Sequence, residues 1–334
     1  MNVGVIGAGL IGTRRAKMAK TEGGTTLKVI VDIDQQKVVG LASELGCEAS
    51  TSWQNVVEDR TIDIVVVSTP TSMLAEISLA AVQAGKHVLV EKPMGRSPQE
   101  IEPMVAVAQQ KGVVLKTGFS LRYHPAIQEA YRIVSSGQLG KLMYGTAVYG
   151  HGGRLGYEKD WRCDPKSVSG GELLDQGIHL VDLYGWFLGE ISEVSAFVST
   201  ALWPIQPLED NGFGMVKTRE GVIGSFHVSW SRWRNKFYFE IFGESGYVQV
   251  SGLGGSYGVE TLVIGKRAPQ FGAPTEEKKE YPPEDVSWAE EWKDFTGAIK
   301  NKRQPFATGQ DGLQAMKVIE KLYESAKTGK SVAI

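Results

Sequence analysis

The sequence predicts an α/β protein, with a doubly wound parallel sheet in its first part and antiparallel strands in its second. Three observations carry this. Between Val3 and Lys116, short Val/Ile-rich runs alternate with stretches of helical spacing, the pattern of right-handed βαβ units. The first run ends in a glycine turn, Gly7-Ala8-Gly9-Leu10-Ile11-Gly12, which opens the first helix. Past Ser192 the apolar period falls to two, as in antiparallel strands with one buried face.

In order, Val3, Val5 and Ile6 make the first strand. Gly7, Gly9 and Gly12 then fall in the G-x-G-x-x-G spacing: a tight turn, an approach to bare backbone, and close packing of helix on strand. A pyrophosphate there would sit on unpaired N–H groups at the positive end of a helix dipole. Chance matches are common in a chain with 40 glycines, so context decides. Ile11 to Lys20 reads as a helix ended by Gly23-Gly24. The second strand, Leu27 to Val31, ends in Asp32, about 20 residues past Gly12, where a carboxylate would reach the adenosine ribose. The alternative is a solvated turn of Asp32 and Asp34. Val38, Val39, Leu41, Ala42 and Leu45 recur at helical spacing. Ile62 to Ser68 is a continuous apolar run, as in strands buried on both faces. A helix from about Met73 to Ala84 precedes a strand, His87 to Val90. Ser97-Pro98-Gln99-Glu100 reads as a capping box opening a helix, and Val113 to Lys116 as the next strand.

Ligands of such sheets bind past the carboxyl ends of the strands. Three strand ends therefore matter: Asp32, the group Ser68-Thr69-Pro70, and the group Glu91-Lys92-Pro93. A lysine before proline is restricted away from the α region, so its direction is constrained. Lys92 would be delivered near the nicotinamide end of a dinucleotide; the alternative is a surface lysine.

Composition narrows the class. With 334 residues, 42% hydrophobic and 22% charged, the chain is long enough for two ordinary globular domains. A net charge of −2 without a basic block argues against nucleic acid as a partner. Cys47 and Cys163 are too few and too far apart for a disulfide framework or a zinc site, and no metal is expected. No apolar run approaches the roughly 18 residues of a membrane span. A strand beginning at residue 2 leaves no room for a cleaved leader, so a cytoplasmic protein is expected.

Further segments carry a family likeness: V-I-G-A-G-L-I-G (Val5–Gly12), S-T-P (Ser68–Pro70), A-G-K-H-V-L-V-E-K-P (Ala84–Pro93), G-F-S-L-R-Y (Gly118–Tyr123) and S-G-G-E-L-L-D-Q-G-I-H-L-V-D (Ser169–Asp182). In this order the chain resembles the glucose–fructose oxidoreductase / inositol dehydrogenase (Gfo/Idh/MocA) family. The resemblance implies an N-terminal Rossmann domain, placed at 1–122, and an α+β domain with a large open sheet, placed at 123–334. The last helix would be free to pack back on the first domain. It implies an active site between the domains, with Lys92, Asp175 and His179 as the catalytic set and a Lys92-Pro93 peptide that is often cis in relatives. Cofactor contacts are expected from Gly7, Gly9, Leu10, Ile11, Gly12, Asp32, Ser68, Thr69, Pro70, Glu91, Lys92 and Arg122, and a substrate contact from Tyr123. One departure is Leu74, where many relatives have a histidine.

In the second half, Pro125 to Ser136 reads as a helix and Leu142 to Tyr149 as a strand. The long loop Gly150 to Gly171 carries His151, Arg154, Asp160, Trp161, Arg162 and Asp164. An aromatic beside a guanidinium suits stacking on a sugar ring and pairing with hydroxyls or phosphate, which makes Trp161 and Arg162 candidate substrate contacts; a plain surface loop is the alternative. One helix is expected from about Gly171 to Leu188. Asp175 and His179, four apart, would share a face, and a carboxylate there raises the basicity of an imidazole. Asp182 reads as structural. Val222 to Trp230 and the strands through Val248 form the antiparallel sheet. Its dense aromatics suggest a homo-oligomer, dimer or tetramer. The late stripes Trp288/Trp292/Phe295/Ile299 and Leu313/Met316/Ile319/Leu322 read as packing helices.

The expected function is hydride transfer between NAD (NADP possible) and a secondary alcohol of a sugar, polyol or sugar nucleotide. Asp32 favours NAD because a carboxylate repels a 2′-phosphate, while Arg14, Arg15 and Lys37 lie close in sequence. An NAD-dependent glycosidase working by transient oxidation, and a sensor without turnover, are the alternatives.

Overall fold

Six strands and their connecting helices come first in the computed structural model, which describes residues 1–334. They are β1 (Asn2–Ile6), α1 (Leu10–Thr21), β2 (Thr26–Val31), α2 (Gln35–Leu45), β3 (Glu48–Ser50), α3 (Trp53–Glu58), β4 (Ile64–Val67), α4 (Thr71–Gln83), β5 (His87–Val90), α5 (Pro98–Lys111) and β6 (Leu115–Thr117). Then follow α6 (Pro125–Ser135), β7 (Leu142–Gly150), α7 (Glu172–Asp175), α8 (Gly177–Leu188), β8 (Ile191–Ser199), β9 (Asn211–Thr218), β10 (Ile223–Ser229), β11 (Lys236–Gly243), β12 (Gly246–Ser251), β13 (Thr261–Lys266) and β14 (Thr275–Glu280). The chain closes with α9 (Ser287–Lys300), α10 (Gly309–Thr328) and β15 (Val332–Ala333). It divides into two compact units: 1–120 with 166–168 and 287–314, and the remainder.

In the first unit the strands run in the order β3-β2-β1-β4-β5-β6, all parallel. The order reverses at β1 and β4, which puts the switch point beside the glycine turn. Ile64 to Val67 and Val88 to Val90 have no exposed surface, which accounts for their unbroken apolar runs. The capping box is not complete: Ser97 precedes α5 without a side-chain cap bond. Glu100 turns instead to Arg96, accepting from its backbone N (2.8 Å) and Nε (3.0 Å).

Whereas the sequence divides at residue 122, the first unit also takes in α9. The reason is burial. Trp292 and Phe295 join Val3, Val5, Ala16 and Ile30 in one apolar cluster.

The second unit is built on a nine-stranded sheet, β14-β13-β12-β11-β7-β10-β9-β8-β15, antiparallel except for the β7/β10 pair. The α8 helix packs on β7, β9 and β10. Its Tyr184 is seated over Gly145 and Gly224, where a Cβ would come within 2.9 Å of the ring, and donates to Ser225 O at 2.7 Å. The other face carries a row across adjacent strands, Phe197–Phe213–His227–Val148–Tyr238, set by register. The helix expected from Gly171 to Leu188 is two segments meeting at Gln176, which closes α7 and opens α8. No helix is long and apolar enough to cross a membrane.

Candidate active site

At the switch point of the first unit, each glycine does a separate job. Gly7 has φ +101°, a left-handed conformation that favours glycine. A Cβ on Gly12 would overlap Gly7 O, so this position is the close helix–strand contact. At Gly9 a Cβ would meet nothing within 4 Å, which leaves backbone open to a ligand. Gly9 also caps α1 without a side-chain bond, so the donors at Leu10 and Ile11 are not taken by a cap. Asp32 turns toward this loop: Oδ2 accepts from Ala8 N at 2.7 Å and Oδ1 from Asp34 N at 3.0 Å.

Ser68 and Thr69 follow β4 and precede Pro70, and their hydroxyl oxygens are buried without a hydrogen-bond partner. Buried hydroxyls without partners are costly, and a polar ligand at the strand end would satisfy them. Glycine turn, acid and hydroxyls together fit a dinucleotide. Of the nearby cations, Lys37 Nζ lies 3.9 Å from Asp32, and Arg14 lies over Trp288. Arg15 is fully buried and paired with Glu91 and Glu291, so it is not offered to a 2′-phosphate.

The E-K-P group ends β5. The Lys92-Pro93 peptide is cis, and Met94 has φ +73°. The Glu91 carboxylate, expected to face the cofactor, is held by Arg15 (Nε–Oε1 2.8 Å). Burial pushes its pKa up, against the pull of Arg15. Leu74, at the position where relatives differ, is 1% exposed and belongs to the core.

Arg122 is likewise paired with a carboxylate. It falls in the second unit and forms a two-pronged pair with Asp182 (Nε–Oδ2 2.8 Å, Nη2–Oδ1 2.6 Å), beneath Trp186. The pair ties Arg122 to α8. Tyr123, beside it, is 3% exposed.

In the second unit a polar cluster surrounds His179, itself 8% exposed. Its ring lies 6.3 Å from that of Tyr149, which in turn lies 5.5 Å from Tyr257. Gln176 Nε2 donates to the Tyr257 hydroxyl at 3.2 Å, and its Oε1 is buried without a partner. Burial, with the neighbouring Tyr257 and Asp175, drives the Tyr149 pKa well above 10.0. Burial likewise lifts Tyr257 to about 12. Both phenols stay protonated at neutral pH, able to donate and accept.

Asp175 closes α7 and lies 3.7 Å from Arg162 Nε. Burial pulls the Arg162 pKa down, but Asp175 and Asp160 outweigh it and the net shift is upward. Arg162 stacks on Trp161 at 4.6 Å, so the two candidates occupy one face of each other. Arg154 also pairs with Asp160.

The start of α7 is fastened by Glu209, which accepts from Gly171 N (3.1 Å), Leu173 N (3.0 Å) and the Tyr323 hydroxyl (2.7 Å). A Cβ on Gly170 would overlap the Tyr323 hydroxyl and one on Gly171 would overlap Glu209 O, which explains the paired glycines. Sequence reasoning missed Tyr149, Gln176 and Tyr257. Gln176 lay inside a quoted motif, and Tyr149 at a predicted strand end. Tyr257 had only the glycine-rich loop Gly252–Gly258 to flag it.

The description "oxidoreductase family, NAD-binding Rossmann fold" belongs to the Gfo/Idh/MocA family model that matches residues 1–119, and the model of that family's C-terminal domain matches residues 127–249. Levoglucosan dehydrogenase of Pseudarthrobacter phenanthrenivorans is 31% identical over 250 residues, 68% of this chain and 62% of that protein. The 1,5-anhydro-D-fructose reductase of Ensifer adhaerens is 28% identical over 336 residues, 99% of this chain and 98% of that protein. A solved levoglucosan dehydrogenase in complex with NADH matches the fold with a TM-score of 0.90 at 23% identity, covering 100% of this chain and 99% of that one.

Proposed function

The chain belongs to the Gfo/Idh/MocA family of NAD-binding oxidoreductases, and on that premise we propose that it oxidises a secondary alcohol of an uncharged sugar or polyol, or reduces the matching ketone. NAD, when bound, supplies the hydride acceptor. The groups named around Gly9, Asp32, Ser68 and Thr69 would hold it. His179 takes the hydroxyl proton as the carbon loses its hydride. Lys92 orients the same oxygen and stabilises its developing negative charge. Asp175, at the end of the preceding helical segment, orients His179 or relays its proton.

The observation that carries the reading is the company His179 keeps. Tyr149, Tyr257 and Gln176 offer neutral donors and acceptors suited to hydroxyl groups. The two guanidiniums of the neighbouring loop are already matched, with Arg154 and Arg162 on Asp160 and Arg162 also beside Asp175. Matched guanidiniums favour a neutral carbohydrate over a phosphorylated or nucleotide-linked one. Two relatives, named for levoglucosan and 1,5-anhydro-D-fructose, support the same class.

The test is a screen of sugars, inositols, sugar acids and sugar nucleotides with NAD, following NADH absorbance beside an assay for released sugar. NADH formed on a neutral carbohydrate supports the reading. Sugar released without net NADH would make it a glycosidase, and silence throughout would leave a sensor. Lys92→Ala and His179→Ala should each lose about 10²–10⁴-fold in turnover while NADH still binds. Near-normal turnover in either removes that residue from the mechanism.

The chain assembles with copies of itself through the open sheet face, where Phe197, Phe213, Met215, Tyr144 and Ile223 are all exposed. A chain that stays monomeric in light scattering at micromolar concentration defeats this. Both cysteines are free, which fits a cytoplasmic location.

A further inference from the structure

Behind the E-K-P turn lies a charge cluster that the reaction does not use. Arg15, on α1 just past the glycine turn, reaches Glu91 with Nε and Nη2 (2.8 and 2.7 Å) and Glu291 of α9 with Nη1. Lys116 of β6 completes it, 3.2 Å from Glu291. The side chains of Arg15, Lys116 and Glu291 have no exposed surface, and that of Glu91 has 12%. Trp288 covers the guanidinium at 4.4 Å. Gly118 leaves room for the pair, since a Cβ there would come within 2.8 Å of Glu91 Oε2.

Such a cluster is poor value as glue, because desolvation offsets the attraction and apolar side chains of equal volume hold a core as well. What a guanidinium fork adds is direction. Here the direction falls on Glu91, the residue before Lys92. The far side of the turn is fixed as well. Met94 N donates to Glu91 O at 3.0 Å, and Thr117 Oγ1 donates to Thr308 O (2.8 Å) with Met94 Sδ 3.1 Å away as the alternative acceptor. Met94 keeps its left-handed backbone inside this frame, a conformation that persists only where surroundings enforce it.

We propose that Arg15 is a positioning residue for Lys92. By holding Glu91 against α9, it makes the helix that opens at the pyrophosphate site and the turn that carries the amine one rigid piece. This rests on the assignment of Lys92 to the reacting oxygen, while Arg15 itself is buried away from substrate.

The test is Arg15→Lys, which keeps the charge and loses the fork. NADH affinity is read by fluorescence titration, and hydride transfer by single-turnover kinetics on the substrate from the screen. Affinity should stay within about threefold, while hydride transfer falls about 10–100-fold, the scale of a small misplacement. A wild-type rate, or affinity and rate falling together, overturns the proposal. Should Arg15→Lys not fold, Glu291→Gln keeps the shape and removes the charge that both Arg15 and Lys116 face. It should slow hydride transfer about three- to tenfold with NADH binding intact; a wild-type rate overturns the proposal.

A readout without substrate separates this from the proposed activity. Labelling of Lys92 by an amine-reactive ester in the NADH complex, followed by peptide mass spectrometry, should change in Arg15→Lys while Lys37 labelling does not. If no carbohydrate turns over, the proposed function fails, and unchanged Lys92 labelling would then overturn the positioning role as well.

Discussion

In the first unit Arg15 and Lys116 face Glu91 and Glu291 with side chains 0–12% exposed, whereas in the second Arg154 and Arg162 face Asp160 and Asp175 with side chains 5–68% exposed. Each set holds two positive and two negative groups. The surroundings differ. Inside, little water screens the charges, so each partner is indispensable to the others. In the second set Arg154 stands in solvent and Arg162 and Asp175 are partly exposed, so solvent replaces part of a lost partner and its removal costs less. A frame needs the first property, and a loop proposed to admit substrate needs the second.

Removing one interior partner should give the largest effect. Glu291→Ala leaves Arg15 and Lys116 short of countercharge and should cost about 3–5 kcal/mol in a urea melt; a loss under about 1 kcal/mol would erase the contrast between the clusters. Gly118→Ala comes next. Its methyl must displace the Glu91 carboxylate 2.8 Å away, and overpacking of this kind costs about 1–3 kcal/mol. Arg162→Ala should cost under about 1 kcal/mol of stability, yet raise the substrate KM, because Asp175 and Trp161 lose the group that orders them. Arg154→Ala, whose side chain is 68% exposed, should stay within about 0.5 kcal/mol at moderate salt.

The smallest effect is one of pH. Burial holds the His151 pKa below its ordinary 6.5, with Asp175 pulling it back up and Arg162 and Arg154 pushing it down. The unfolded loop therefore binds protons before the folded one does, and its stability should fall as pH drops below about 6.5. Hydrogen exchange across 150–165 at mildly acid and neutral pH would show it. Equal protection at both would mean that His151 is not held neutral by the fold.

What could be read from the sequence was what neighbours in the chain decide. The βα alternation and the glycine turn are local, and both are found. So is the burial of Ile64 to Val67. β3 escaped because it is three residues long, with none buried, and so has no apolar signature. The break at Gln176 escaped because α7 and α8 together keep one apolar stripe; only Tyr257 and Glu209, distant in sequence, show where each segment is held. Glu91 and Arg122 were expected as cofactor contacts from the family likeness; their ion pairs with Arg15 and Asp182 were not legible, because no spacing announces a partner 76 or 60 residues away. Lys92, Asp175 and His179 came from the family likeness rather than from periodicity.

One connection has a bearing on how this protein can be cut and recombined. The stretch from Ser287 to Gln314 belongs with residues 1–120, although nearly half the chain intervenes. A gene fragment stopping after the sixth strand would express a nucleotide-binding lobe lacking Trp292, Phe295 and the Glu291 carboxylate, with an apolar flank left open to aggregation. Swapping this lobe for another's therefore requires three junctions, after residues 120, 286 and 314, rather than one, and a chimera made with the first alone should come out insoluble.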